Sequence, residues 1–345
     1  MTAVAPVVRP DEQPRRLLER VSLARELGIV IAILLVFALT TLKNHAFANG
    51  PSIQQLLAGA SLIALLGAGE TLVIVTRNVD LSIGSVLGLS AYLVGDLFVH
   101  HPHTPQLAAY ALGIGVGASF GAINGLITTL LRVPSLVVTL AALYIIRGLD
   151  AVIANGKQID PTSIPSGFQK VGSGDIFNIP WLAILVTAVI VAISYAMRSF
   201  RSSRDLYAIG SNPQAAELAG IPVAKRVFTA FLVSGALAGL GGVLFIAEFA
   251  TVASTGGSGY ELNVVAAVVV GGVAIFGGSG TVVGAALGAL LLNTINQALV
   301  AAKVSAFWNE AIAGALLLGA IAFDRYIALR VHRALRTGGG GQDAG

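Results

Sequence analysis

Long apolar blocks recur along nearly the whole chain, at residues 27–42, 53–76, 81–99, 106–131, 134–154, 181–198, 226–249, 262–276, 280–302 and 306–323. A helix needs about 20 apolar residues to cross a bilayer core. None of the blocks alternates apolar and polar residues with the period of two that a strand shows. Lipid offers the backbone no hydrogen bonds, so only helices and closed barrels span it. Barrel segments would be shorter and alternating. The expected fold is therefore all-α, a polytopic membrane protein with about ten transmembrane helices.

Composition agrees. Of 345 residues, 55% are hydrophobic and 11% charged, whereas soluble proteins carry about 25% charged residues. Ten spans leave no room for a soluble domain. The chain has no cysteine, which excludes disulfides, thiolate catalysis and sulfur-ligated metals. Its 41 glycines suit helices that approach one another closely. Residues 1–26 are basic and the first block is followed by "AFA" at 46–48, a pattern that mimics a secretory signal. The long basic region and the many later spans favour an uncleaved first helix.

The basic residues set an orientation. With the N-terminus in the cytoplasm, sixteen of the twenty-one Lys and Arg fall in cytoplasmic segments, and Lys43, Arg147, Lys157, Lys170 and Lys303 fall outside. Both termini are then cytoplasmic. This divides the chain into a tail at 1–26, a transmembrane domain at 27–327 and a flexible tail at 328–345. Two connections are long: 154–180, rich in Gly, Pro and Ser, lies outside, and 198–226, basic at both ends, lies inside. Helices 2–5 and 7–10 form two sets of four in opposite orientation, as in inverted-repeat transporters. "TRNVDLSIGS" in the first half is matched to "VVGGVAIFGGSGTVVG" in the second.

The inner connection contains "SNPQAAELAGIPVAKR" at 211–226. Asn212 is placed to cap a helix that Pro213 begins. Gly220 ends it, and Pro222 prevents its continuation. A helix of about two turns is not stable alone in water, so it must pack on something. Ala215, Ala216 and Ala219 offer a small flat face for a partner groove; the plainer alternative is an interfacial helix with no partner.

"TRNVD" at 76–80 joins two apolar blocks. It is either a cytoplasmic turn, with Asp80 capping helix 3, or a deeper junction at the pore. In the deeper reading Arg77 and Asp80 pair, and Asn78, Asp80 and Ser82 meet passing hydroxyls. Glu70 lies mid-helix, where a carboxylate is costly unless paired or protonated; it faces a pore or subunit interface, or bonds within the bundle. Asn124 is read first as a helix–helix hydrogen bond. Arg147 and Asp150, three apart, can pair on one helical face and line the outer vestibule or anchor the helix end. "HHPH" at 100–103 has no clustered carboxylates and reads as a solvated turn, not a metal site. Trp181 and Trp308 fall near span ends, as anchoring aromatics do.

Three of these stretches carry a resemblance. "DLYAIGSNPQAAELAGI", "GETLVIVTRNVDLSIGSVLGLSA" and "VVVGGVAIFGGSGTVVGAALGALLL" resemble, in order, the coupling helix, the helix 2–3 junction and the C-terminal glycine motif of the ribose/xylose/arabinose permease family of ABC importers. "TRNVDLSIGS" departs from the commoner "TGGIDLSVGS", and with "VSAFWNEAIAGALLLGAIAFDR" it is similar to permeases for autoinducer-2 or rhamnose. The resemblance implies a coupling loop at 198–226 in which Asn212, Pro213, Gln214, Ala215, Ala216, Glu217 and Gly220 meet an ATPase. Polar side chains within or beside the apolar blocks separately give Glu70, Arg77, Asn78, Asp80, Ser82, Asn124 and Arg147 as candidates for the pathway. The resemblance also implies a second permease subunit, identical or a paralogue, two ATPase subunits that bind ATP and Mg²⁺, and a periplasmic or lipid-anchored sugar-binding protein. The sequence itself has no G-x-x-x-x-G-K-[ST] phosphate loop, so ATP would be hydrolysed elsewhere. No catalytic residue set falls inside the spans. An ion-coupled secondary transporter, the alternative, would need carboxylates or unwound helices near the midplane.

Overall fold

The computed structural model describes residues 12–305, 308 and 311–322, with side chains from residue 25 onward. The helices are α1 (Glu12–Lys43), α2 (Gly50–Val75), α3 (Ile83–His100), α4 (Gln106–Leu130), α5 (Ser135–Ala154), α6 (Ser166–Ser173) and α7 (Trp181–Ser199). They continue as α8 (Arg201–Ser211), α9 (Pro213–Leu218), α10 (Val223–Phe249), α11 (Tyr260–Val270), α12 (Val282–Ala301) and α13 (Ala311–Ala322). Among the described residues the fold is all-α apart from a two-stranded hairpin, Asp175–Ile176 against Ile179–Pro180. The expected tail at 328–345 lies outside the described residues. Within the expected tail at 1–26, residues 12–26 are already the start of α1.

All ten apolar blocks contain helix, but among the described residues eight helices are long and apolar enough to cross a membrane. The exceptions are α13, of which only Ala311–Ala322 is described, and α11. The block at 262–276 is not one span. Its helix has 11 residues, about 16 Å at 1.5 Å per residue, roughly half a bilayer core of about 30 Å. It stops at a turn where Gly272, Gly277, Gly278 and Gly280 all have positive φ.

The small residues fix the packing. Along α4 and α10, Gly113 meets Gly239, Gly117 meets Gly235 and Gly121 meets Phe231, so the two helices run antiparallel with backbones touching. The same relation joins α2 to α12, where Gly59 lies against Asn293 and Gly67 against Ala285. Asn293 Nδ2 donates to the Leu56 carbonyl across this seam at 2.7 Å. The long helices α2 and α10 also cross antiparallel, through Gly69 on Ser234 and Gly241 on Leu66. Each is followed by a short irregular segment, 76–82 or 250–259, and then by α3 or α11. These contacts are the arrangement that an inverted relation of α2–α4 to α10–α12 produces, and it changes one sequence match. The counterpart of 76–82 is 250–259, because both lead from a long helix into the next N-terminus. The glycine turn at 271–281 instead lies beside 76–82, with the Gly278 amide donating to the Val75 carbonyl at 2.9 Å.

The long connection 155–180 folds back over one end of the bundle. Phe168 of α6 is fully buried against Phe98 and Tyr110, and Ile159 bridges to Val252.

The seam between α4 and α10 makes a direct prediction. A Cβ on Gly117 would overlap the Gly235 carbonyl, whereas one on Gly115 meets nothing. Gly117→Val should destabilise the detergent-solubilised protein by at least about 1–3 kcal/mol, the usual cost of overpacking. Gly115→Val should leave its thermal unfolding unchanged.

Candidate functional site

Three polar features interrupt the apolar bundle: a helical hairpin, a buried hydrogen-bond chain and an ion pair between two helix N-termini. The hairpin is α8–α9. Asn212, extended at φ −156 and ψ 103, ends α8, and its side chain accepts from the amides of Gln214 and Ala215. Pro213 opens α9, where its missing N–H costs least. Gly220, at φ +78, closes it. The Ile221 amide reaches the Ala216 carbonyl and the Gly220 amide the Glu217 carbonyl, the bond pair of a glycine C-cap. Ala216 is buried at 4% exposure; it holds α9 onto the bundle and is not part of an outward face. The outward face is Gln214, Ala215, Glu217, Leu218 and Ala219, with Leu218 91% exposed. The base of the hairpin is fixed by Arg226 of α10, which pairs with Asp205 at 2.8 Å, and by Tyr207, which donates to the Gly280 carbonyl at 3.0 Å.

The second feature is the 76–82 junction. After α2 ends, the chain turns at Arg77, whose φ is 67, and runs back into the bundle. Arg77 and Asn78 stay at the surface, while Asp80 and Ser82 are 1% and 0% exposed. Arg77 does not pair with Asp80. It donates to the carbonyls of Gly210 and Ser211 at the end of α8. Asn78 bonds locally to Thr76. It lines a cleft of about 480 Å³ with Arg132, Ser135, Glu217 and Val223.

Inside, the extended backbone is satisfied by side chains. The Asp80 amide donates to Glu70 Oε1 at 3.0 Å. Asp80 Oδ1 accepts from the Ser82 amide at 3.0 Å and its hydroxyl at 2.6 Å. Asn124 Nδ2 of α4 donates to Ser82 Oγ at 2.9 Å. The Val79 amide and carbonyl are met by Ser135 and Thr139 of α5. Asp80 is thus not the cap of α3. It closes an Asx turn just before Ser82, the residue at the cap position. Glu70 is fully buried and faces this chain of bonds, not an open pore.

The third feature lies where the first turns of α3 and α11 meet. A Cβ on Gly84 would strike the Glu261 carboxylate, and one on Gly88 the Gly256 carbonyl. Arg147 of α5 donates to that same Gly256 carbonyl. Its Nη2 lies 3.8 Å from Glu261 Oε2, with both side chains under one-fifth exposed. Neither of these two atoms has a hydrogen bond among the described residues. Arg147 therefore pairs with Glu261, while both Asp150 oxygens lack hydrogen-bond partners among the described residues. Thr255 and Ser258 on the adjoining segment are exposed.

Glu261 and Leu218 are the site residues that the sequence reading missed. Glu261 had a signal: it follows "STGGSGY" and sits in the first turn of α11, where the helix dipole favours an acid. It lies one residue before the apolar block at 262–276.

The buried chain yields a test. Asp80→Ala removes the acceptor of two buried Ser82 donors and should cost about 1–3 kcal/mol in thermal unfolding. Asp80→Asn keeps an oxygen there and should cost less.

Comparison with known proteins matches residues 52–321 to a family described as the permease component of branched-chain amino acid transport systems. The chain is 35% identical over 312 residues to the autoinducer 2 import system permease protein LsrC of Yersinia enterocolitica, covering 90% of this chain and 86% of that one. It is 34% identical over 309 residues to LsrC of Photorhabdus luminescens (90% and 92% covered). It is 35% identical over 315 residues to LsrC of an Enterobacter species (90% and 91%). No solved structure matches. The apolar multi-pass bundle and these matches agree, and the chain belongs to this family of membrane-spanning transport permeases.

Proposed function

We propose that this chain is the permease subunit of an ATP-driven importer that carries autoinducer-2 or a similar small, sugar-like molecule across the bacterial inner membrane. The similarity to three autoinducer 2 import permeases over nine-tenths of the chain supports the substrate class; rhamnose and ribose-type sugars share its hydroxyl chemistry. The observation that carries the mechanism is the α8–α9 hairpin. A six-residue helix, closed at both ends by its own caps, presents a 91% exposed leucine from a segment flanked by arginines. That is a docking knob, and it needs a partner with a matching groove.

The partner is an ATPase subunit, because this chain has no phosphate loop of its own; ATP and Mg²⁺ would bind there. The excess of Lys and Arg on that side supports a cytoplasmic location for the hairpin and both termini. A second permease, identical or a paralogue, would complete the pathway, and a binding protein would deliver substrate from outside. Chemistry other than transport is not required of this chain.

The pathway contact is best assigned to Arg147 and Glu261. Charges at membrane depth normally face a cavity and pair. These two keep donor and acceptor capacity unused by each other, which sugar-type hydroxyls can take. Glu70, Asp80, Ser82 and Asn124 would act behind this contact as its support, with Arg77 and Asn78 at the cytoplasmic surface.

The test is uptake of labelled autoinducer-2, rhamnose and ribose into proteoliposomes holding this chain, its ATPase and its binding protein. Uptake should require ATP. Leu218→Asp should abolish both uptake and copurification of the ATPase. Uptake driven by an ion gradient without ATP would instead support a secondary transporter. Glu261→Ala and Arg147→Ala should each retain the ATPase yet lower uptake by about tenfold or more, the scale of a lost charged contact of 1.5–3 kcal/mol.

A further inference from the structure

Arg77 occupies a left-handed backbone conformation, φ 67. For a residue other than glycine this conformation is strained, and glycine would adopt it freely. What the position gains from arginine is therefore in the side chain. The guanidinium crosses to α8 and donates through Nε to the Gly210 carbonyl and through Nη2 to the Ser211 carbonyl at 2.6 Å. These are the last two carbonyls of α8, which a helix leaves without internal partners, at the end where its dipole favours a cation. The next residue, Asn212, ends α8 and caps α9. One planar group with two donors thus grips the hairpin at its bend.

Backbone contacts make the grip stiff. The Gly278 amide donates to the Val75 carbonyl, and Gly210 lies so close to that carbonyl that it has no room for a Cβ. Beyond Arg77 the junction is tied at depth, by Asp80 to Glu70 of α2 and by Ser82 to Asn124 of α4. The other side-chain ties of α8 run elsewhere, from Asp205 to Arg226 of α10 and from Tyr207 to Gly280. Among the described residues, Arg77 is the side-chain hydrogen-bond link from α8 to the 76–82 junction.

We propose that Arg77 is the positioning residue that passes displacement of the α8–α9 hairpin to the junction, and through Ser82 and Asn124 to the first turn of α3 and to α4. The proposal rests on the hairpin being the ATPase-docking element.

The test compares Arg77→Gly and Arg77→Lys with wild type in the full complex in proteoliposomes. Glycine keeps the backbone at ease and deletes only the grip. The Arg77→Gly complex should retain its ATPase subunits and unfold at no lower temperature than wild type. Its uptake per ATP hydrolysed should fall about tenfold or more, within the usual range of coupling between sites. Arg77→Lys, which keeps the charge and one donor group, should recover part of the loss. Unchanged uptake per ATP in Arg77→Gly would overturn the proposal. So would loss of the ATPase subunits, which would make Arg77 part of the docking face, or a lowered unfolding temperature, which would make it a stability residue. Wild-type uptake that needs no ATP would instead contradict the importer reading itself.

Discussion

A helix that begins inside a packed bundle leaves its approaching backbone without water, and the backbone polar groups there must find partners in the protein. The segment leading into α3 meets this constraint with side chains held on three other helices. Glu70 of α2 takes the Asp80 amide, Asn124 of α4 reaches Ser82, and Ser135 and Thr139 of α5 serve both backbone groups of Val79. The segment is consequently a knot joining α2, α4 and α5. Any rearrangement of those helices must go through it or break it. Its surface end is Arg77, which holds the α8–α9 hairpin.

The second half solves the same problem with less polar material. There the approach to α11 uses a loop rich in glycine and serine, lodged against Gly84 and Gly88 of α3. Arg147 holds it through the Gly256 carbonyl. The two N-termini meet, and the charged pair Arg147 and Glu261 sits where they do. Close backbone approach at glycines is what allows this; a methyl group at either position would push α3 away from α11 and the segment before it.

Much of this was legible in the sequence. Blocks of apolar residues locate the long helices because the bilayer imposes their length. The α9 helix is legible too, since Asn212, Pro213, Gly220 and Pro222 act locally and their effects depend on neighbours in the chain. What was not legible depends on contacts between distant segments. Arg77 and Asp80 are close in sequence and opposite in charge, so pairing was a fair expectation, but the backbone turns between them and leaves one at the surface and one inside. Arg147 and Asp150 share a helical face, yet Glu261, over a hundred residues away, takes the arginine. Ala216 looked like part of an outward face because three alanines cluster there; only the packing of α9 on the bundle selects Leu218 as the exposed residue. The block at 262–276 reads as one span because glycines in 271–280 are apolar by composition, yet they form a turn by conformation.

On the proposed function, the α8–α9 hairpin and the 76–82 junction move as one unit when an ATPase subunit acts on α9. The most direct measurement is electron cryo-microscopy of the reconstituted complex with and without an ATP analogue. α9 should be seated in the ATPase in both states, with α8 and residues 76–82 displaced together while the Arg77 contact to Gly210 and Ser211 is kept. A hairpin that moves while 76–82 stays fixed to α4, or an α9 that touches no ATPase, would contradict this reading.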